Sequence, residues 1–246
     1  MARLIDRIRA AAFDLDGTLV DSAPDLAAAA NAMLEALGNR RLAEYRITAL
    51  IGDGVDRLVE GVLTTSLRRA PAPAALAAAG TLFRRIYAER LFDRSRVYPG
   101  VVQGLGALRK AGIRLCCVTN KHSAFTAPLL DAAGLARRFA FALCADRAEE
   151  RKPKPDLLLA ACARFGIAPA ELLYVGDSRA DIGAARAAGC PVAAVDYGYN
   201  QGRPILAERP DWVITSLAEI AALSTERTLA HAWAGGGPQC SLIARH

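Results

Sequence analysis

Five short apolar runs punctuate the chain, at residues 9–13, 113–118, 139–144, 172–175 and 192–195, and each is closed by a polar or glycine-bearing loop. Such runs lack the apolar–polar alternation of a half-exposed strand. They suit strands buried on both faces of a parallel sheet. Between the later runs, apolar positions recur at helical spacing over residues 100–111, 123–133, 155–165 and 181–188, with Gly112, Gly134, Gly166 and Gly189 as stops. Strand–helix alternation of this kind predicts an α/β fold with right-handed crossovers.

The interval from Ser22 to about Arg96 breaks the alternation. It is rich in alanine and leucine, reads as several helices and shows no convincing strand. Ser22, before Pro24 and Asp25, is a candidate N-cap, Gly38 a stop, and PAPAA from Pro71 a break. The expected architecture is therefore a Rossmann-like open parallel sheet with helices on both faces, carrying an inserted all-helical domain. The sheet domain is discontinuous, over residues 1–21 and 97–224, and the helical insert occupies 22–96. Residues 225–246, with the weakly patterned AGGGPQCSLIARH, read as a mobile tail.

Composition narrows the function classes. Apolar residues make up 53% of the 246, enough for a substantial core, and no run of about 18 uncharged apolar residues suggests a membrane span. The N-terminal MARLIDRIRA has charges throughout and no signal-peptide core, which makes the cytoplasm the default. The six cysteines form no C-x-x-C pair and sit mostly in apolar runs, so they read as buried thiols; only three histidines occur, too few for a zinc site of ordinary spacing. The net charge of +6 comes almost wholly from arginines scattered along helices, a pattern of solvated faces rather than a nucleic-acid surface. Three of the four lysines, Lys121, Lys152 and Lys154, lie beside strand-end polar motifs.

In an open α/β sheet, ligands bind outside the carboxyl ends of the strands. The first strand delivers Asp14 and Asp16 there, followed by Gly17. The second run delivers Thr119, Asn120 and Lys121. The stretch before Pro155 delivers Lys152. The run 172–175 delivers Asp177, Ser178 and, one turn on, Asp181. Four carboxylates, a hydroxyl and a lysine thus converge on one edge. Uncompensated, they would raise one another's pKa values. A hard divalent cation resolves the conflict, and Mg²⁺ suits a site with few carboxylates plus water and substrate phosphate. A D-x-D alone is as readily a solvated strand-end turn; DLDGT, TNK, KPKP and GDSRAD in this order are not.

These motifs resemble those of the haloacid dehalogenase superfamily, over roughly residues 11–220, and the insert after the first strand resembles the helical cap of its subclass I. A narrower resemblance, to the bacterial phosphoglycolate phosphatases, rests on DLDGTLVDSAPDLAAAAN, IGDGVDRLVE, YPGV, LYVGDSRADIGAARAAGCP and YGYNQGRP. The chain has Gly52-Asp53-Gly54 where that family usually has Gly-Asn-Gly, which adds a negative charge to a cap loop thought to meet substrate.

The resemblance implies a Mg²⁺-dependent phosphatase working through an aspartyl-phosphate. Asp14 would be nucleophile and metal ligand, and Asp16 acid, base and metal ligand through its backbone carbonyl. Asp177 would be the second metal carboxylate, with Asp181 and Ser178 behind it. Thr119 and the Asn120 amide would hold phosphoryl oxygens, and Lys152 would neutralise charge. Gly17 would admit the phosphate, and Gly52, Asp53 and Gly54 would meet the substrate. Arg57 and Arg179 are candidates for anion contact; Lys121 either faces the cap or is solvated. The expected partner is a small anionic phosphoester, with no nucleic acid or membrane, for a monomer or homodimer. 2-Phosphoglycolate is the leading substrate. A sugar or aminosugar phosphate such as N-acetylmuramic acid 6-phosphate, a pyrophosphatase or phosphomutase activity, and a receiver-like phosphoprotein are the alternatives. The second aspartate and the GDxxxD carboxylates argue against dehalogenation.

Overall fold

The computed structural model of the chain describes residues 6–223. Its centre is a six-stranded parallel sheet. The strands are β1 (Ala10–Phe13), β4 (Arg114–Thr119), β5 (Ala142–Cys144), β6 (Leu172–Gly176), β7 (Val192–Val195) and β8 (Trp212–Ile214), in the order β5-β4-β1-β6-β7-β8. Strand β1 lies centrally because its AAAF is buried throughout. Ala11 and Phe13 face one apolar cluster with Leu105, Leu115 and Val175, while Ala10 and Ala12 face another with Val118, Leu158 and Tyr174. Burial on both faces explains why the strands read as continuous apolar runs. Strand β8 has only three residues and follows a Pro-Asp pair, too short a run to stand out in the pattern.

The connecting helices are α5 (Val101–Lys110), α6 (Ser123–Ala132), α7 (Asp156–Phe165) and α8 (Arg179–Ala188). Between β1 and the rest of the sheet lie α1 (Ala23–Ala36), α2 (Glu44–Thr48), α3 (Val55–Leu67) and α4 (Pro73–Glu89). They gather around their own apolar cluster, which includes Met33, Leu34, Val62, Phe83 and Tyr87.

At the two edges of the helical interval, β2 (Val20–Asp21) and β3 (Arg96–Val97) pair antiparallel where the chain leaves and rejoins the sheet; between them lie only helices and loops. Two-residue strands carry no periodicity, so no pattern could reveal them. Ser22 takes the N-cap position of α1, but its backbone is helical rather than extended and its side chain accepts from no helix amide; Ser22 Oγ donates to Asp16 Oδ1 at 2.5 Å. The return at β3 is fixed instead by buried Asp25, which accepts from the Arg94 and Ser95 amides at 2.8 and 2.9 Å.

The cysteines at 116, 117, 144, 162 and 190 are free. No helix among the described residues is long and apolar enough to cross a membrane. The expected tail lies outside the described residues.

Candidate active site

Asp14 after β1, Asp177 after β6 and Asp181 in the first turn of α8 bring carboxylate oxygens within 4.8 Å of one another, all buried. Glycine makes this approach possible. A side chain at Gly17, whose φ is +86°, would overlap the Asp177 carboxylate, and one at Gly176 would overlap Asp181.

The three carboxylates are not equivalent. Asp181, fully buried, is saturated. Its Oδ1 accepts from Lys152 Nζ at 2.6 Å and Tyr174 OH at 2.9 Å; its Oδ2 accepts from Ser178 Oγ at 2.6 Å and the Ser178 amide at 3.0 Å. Facing Lys152 holds its pKa below the ordinary 3.8 despite burial. Asp177 accepts only from neutral donors, Thr18 Oγ1 at 3.2 Å and the Tyr199 amide at 2.6 Å. Burial, then the charges of Asp181 and Asp14, push its pKa well up. Asp14 Oδ1 lies 2.9 Å from Lys152 Nζ, but off the hydrogen-bond direction, so this buried oxygen has no hydrogen-bond partner. Its pKa is raised from 3.8 to about 6, first by burial and then by Asp181 and Asp16, against the pull of Lys152.

Charge counting shows what fits here. Three carboxylates share one ammonium, Lys152, which leaves two negative charges uncompensated when all are ionised. Asp14 and Asp177 keep oxygens free of any cationic hydrogen bond, and an all-oxygen donor set of that charge suits a hard divalent cation. The cluster can hold a metal through these two residues, with Asp181 tied to Lys152 behind them.

Asn120 organises the surrounding loops. Its Oδ1 accepts from the Lys152 amide at 2.8 Å and its Nδ2 donates to Gly52 O at 3.1 Å, so one side chain joins the KPKP loop to the Gly-Asp-Gly loop. Thr119 is buried beside it, its Oγ1 accepting from the Lys121 amide at 3.2 Å. The YGYNQGRP stretch acts as a buttress. The Tyr199 amide fixes Asp177, Tyr199 OH donates to Asp21 at 2.7 Å, and Tyr197 OH donates to Thr18 O at 2.9 Å.

A narrow cleft opens over Asp14 and Asp16, walled by Leu26, Ile51, Gly52, Gly54 and Leu58. Asp53 does not line it. That residue lines an adjoining cleft, shared with Asp14, Asp16, Asp177 and Arg179, where Gln201 Nε2 donates to its Oδ2 at 3.4 Å. Arg57 lies away from both, exposed and paired with Glu60 at 2.8 Å. Lys154 is exposed. One residue absent from the sequence-based site emerges, and Lys121 is resolved as buried. Tyr174 anchors Lys152 from within β6, donating no periodic signal of its own in an apolar run. Lys121 is buried at the cleft and bonded to Asp16.

Residues 8–189 match the model of the haloacid dehalogenase-like hydrolase family. The chain belongs to the haloacid dehalogenase-like hydrolases. Among relatives of this hydrolase, the chain is 48% identical to a phosphoglycolate phosphatase of Thiobacillus denitrificans over 219 residues, covering 89% of this chain and 96% of the relative. It is 42% identical to the phosphoglycolate phosphatase of Escherichia coli strain K12, over 87% of this chain and 91% of the relative. The crystal structure of a predicted phosphoglycolate phosphatase from Haemophilus somnus superposes with a TM-score of 0.84 at 35% identity, covering 88% of this chain and 97% of that one. The six-stranded parallel sheet is thus the hydrolase core of that family.

Proposed function

We propose that this hydrolase cleaves 2-phosphoglycolate to glycolate and phosphate through an aspartyl-phosphate on Asp14. The observation that carries the reading is the pairing of an under-coordinated, buried Asp14 with a second strand-end carboxylate, Asp177, beside a fixed Lys152. The similarity to named phosphoglycolate phosphatases along nearly the whole chain supports the substrate.

Asp14 and Asp177 would hold Mg²⁺, which when bound supplies positive charge to the phosphoryl oxygens. An Asp14 oxygen attacks phosphorus and the ester P–O bond breaks. Asp16 gives its proton to the leaving glycolate oxygen. Asp16 then takes a proton from the water that attacks the phospho-aspartate, and the Asp14–phosphorus bond breaks to release phosphate. Lys152, held by Asp181 and Tyr174, opposes the charge that builds on the phosphoryl group. Thr119 and the Asn120 amide orient that group. The four-helix insert, in contact through Gly52, would act as a cap that excludes water from the intermediate.

The test is phosphate release from a panel of phosphoesters with Mg²⁺. 2-Phosphoglycolate should lead, and Asp14→Asn should abolish turnover on every substrate while chelation silences the wild type. A lead for hexose or aminosugar phosphates would sink the substrate but leave the phosphatase chemistry standing. A stable phosphoprotein without turnover would sink both.

A further inference from the structure

Lys121 is one of two lysines buried in the described residues, 5% exposed, and it carries no role in the phosphoryl chemistry above. Its Nζ sits 3.1 Å from both Asp16 oxygens and 2.8 Å from Tyr87 OH. Tyr87 belongs to α4, is itself fully buried, and stands beneath the ammonium with its ring centroid 4.7 Å away. The ammonium is held by a core carboxylate on one side and a tyrosine of the helical insert on the other, the pairing that lets a charge be buried.

Among the residues lining the cleft over Asp14 and Asp16, Lys121 is the sole cation. Two other cations nearby are ion-paired: Lys152 with Asp14 and Asp181 at the phosphoryl end, and Arg151, which packs against Gly54, with Asp56 at 2.9 Å. Arg179 lines the neighbouring cleft, which also reaches Asp14 and Asp16.

We propose that Lys121 is the residue that selects a carboxylate on the leaving group, with Tyr87 as its positioning residue. The inference rests on the reading of 2-phosphoglycolate as substrate and deepens it. The geometry follows from the chemistry of that molecule. Asp16 must touch the ester oxygen to protonate it, and the substrate carboxylate is one methylene away from that oxygen. An ammonium that touches Asp16 therefore lies within reach of that carboxylate. The remaining walls, Leu26, Ile51 and Leu58, offer it no ionic alternative.

The experiment compares 2-phosphoglycolate with its neutral carboxamide, phosphoglycolamide, in wild type and Lys121→Met. Any loss common to both substrates reports on Asp16; the ratio of their kcat/KM values reports on carboxylate recognition. Wild type should favour the carboxylate, and Lys121→Met should shrink that preference about 10- to 100-fold, the size of a charged hydrogen bond, mainly through KM. Tyr87→Phe should shrink it several-fold. If Lys121→Met fails to fold by circular dichroism, Lys121→Gln keeps a donor for Tyr87 and carries the same test. A preference that survives loss of the charge overturns the assignment to Lys121 alone. A wild type that is indifferent to the carboxylate overturns both this assignment and the substrate on which it rests.

Discussion

Lys152 should be felt twice when it is lost, once in rate and once in folding. Its ammonium is the counter-charge of both Asp14 and Asp181, and Asp181 is fully buried. Lys152→Met should abolish turnover and destabilise the protein by about 3–5 kcal/mol, the usual cost of stranding one partner of a buried pair. Adding Asp181→Asn should recover most of the stability and none of the activity. Urea unfolding of the two variants decides it; a single variant as stable as wild type would show that Lys152 is not the counter-charge. The residues legible in the sequence were those with no business in a core. Carboxylates and a lysine at strand ends have no packing reason to be there, so Asp14, Asp16, Asp177, Asp181 and Lys152 could be gathered before any coordinates. Tyr174 and Tyr87 were not legible. A tyrosine in an apolar run or on a buried helix face satisfies the core pattern, and only the third dimension shows what its hydroxyl meets. Lys121 was left between cap-facing and solvated for the same reason: its partners come from α4 and β1, far apart in sequence.

The elements of the sheet could be read from their runs because burial on both faces leaves a plain signature. The strands β2, β3 and β8 could not, because none sits in an apolar run longer than three residues, whereas three-residue β5 ends the longer run 139–144. What joins the elements was hidden as well. Asn120, expected only to offer its amide, uses its side chain to tie the loop before α3 to the loop before α7. Asn120→Ala should orphan the buried Lys152 amide, cost about 1–3 kcal/mol, and speed hydrogen exchange at that amide. Unchanged exchange there would mean that Asn120 does not organise the two loops. By contrast, Asp56 bridges Arg84 and Arg151 between the insert and the sheet, yet it is 56% exposed. Asp56→Asn should therefore shift stability by less than about 1 kcal/mol in the same urea assay, and by less still at high salt.

At the scale of the whole molecule, the acidic edge sets how stability depends on pH. Asp14 has its pKa raised from 3.8 to about 6, and Asp177 is raised in the same direction. The folded, metal-free chain therefore holds more protons than the unfolded chain between about pH 4 and 6. A raised carboxylate contributes stability below its unfolded pKa and loses that contribution as pH climbs through its folded value. Asp181 is lowered, so its contribution runs the other way and disappears only as pH falls below the ordinary 3.8. Stripped of divalent ions, the protein should be most stable in mildly acid solution and lose stability toward pH 7.5. Ligation of Mg²⁺ by Asp14 and Asp177 competes with their protonation, so the gain in Tm on adding the metal should be small at pH 5 and grow through pH 6 to 7.5. In Asp14→Asn the metal-free decline should flatten, because the amide cannot ionise. Thermal unfolding across that pH range, with and without Mg²⁺, measures both. A gain in Tm that is the same at pH 5 and 7.5 would mean the ion is not held by these two carboxylates, and the proposed phosphoryl chemistry on Asp14 would lose its electrostatic basis.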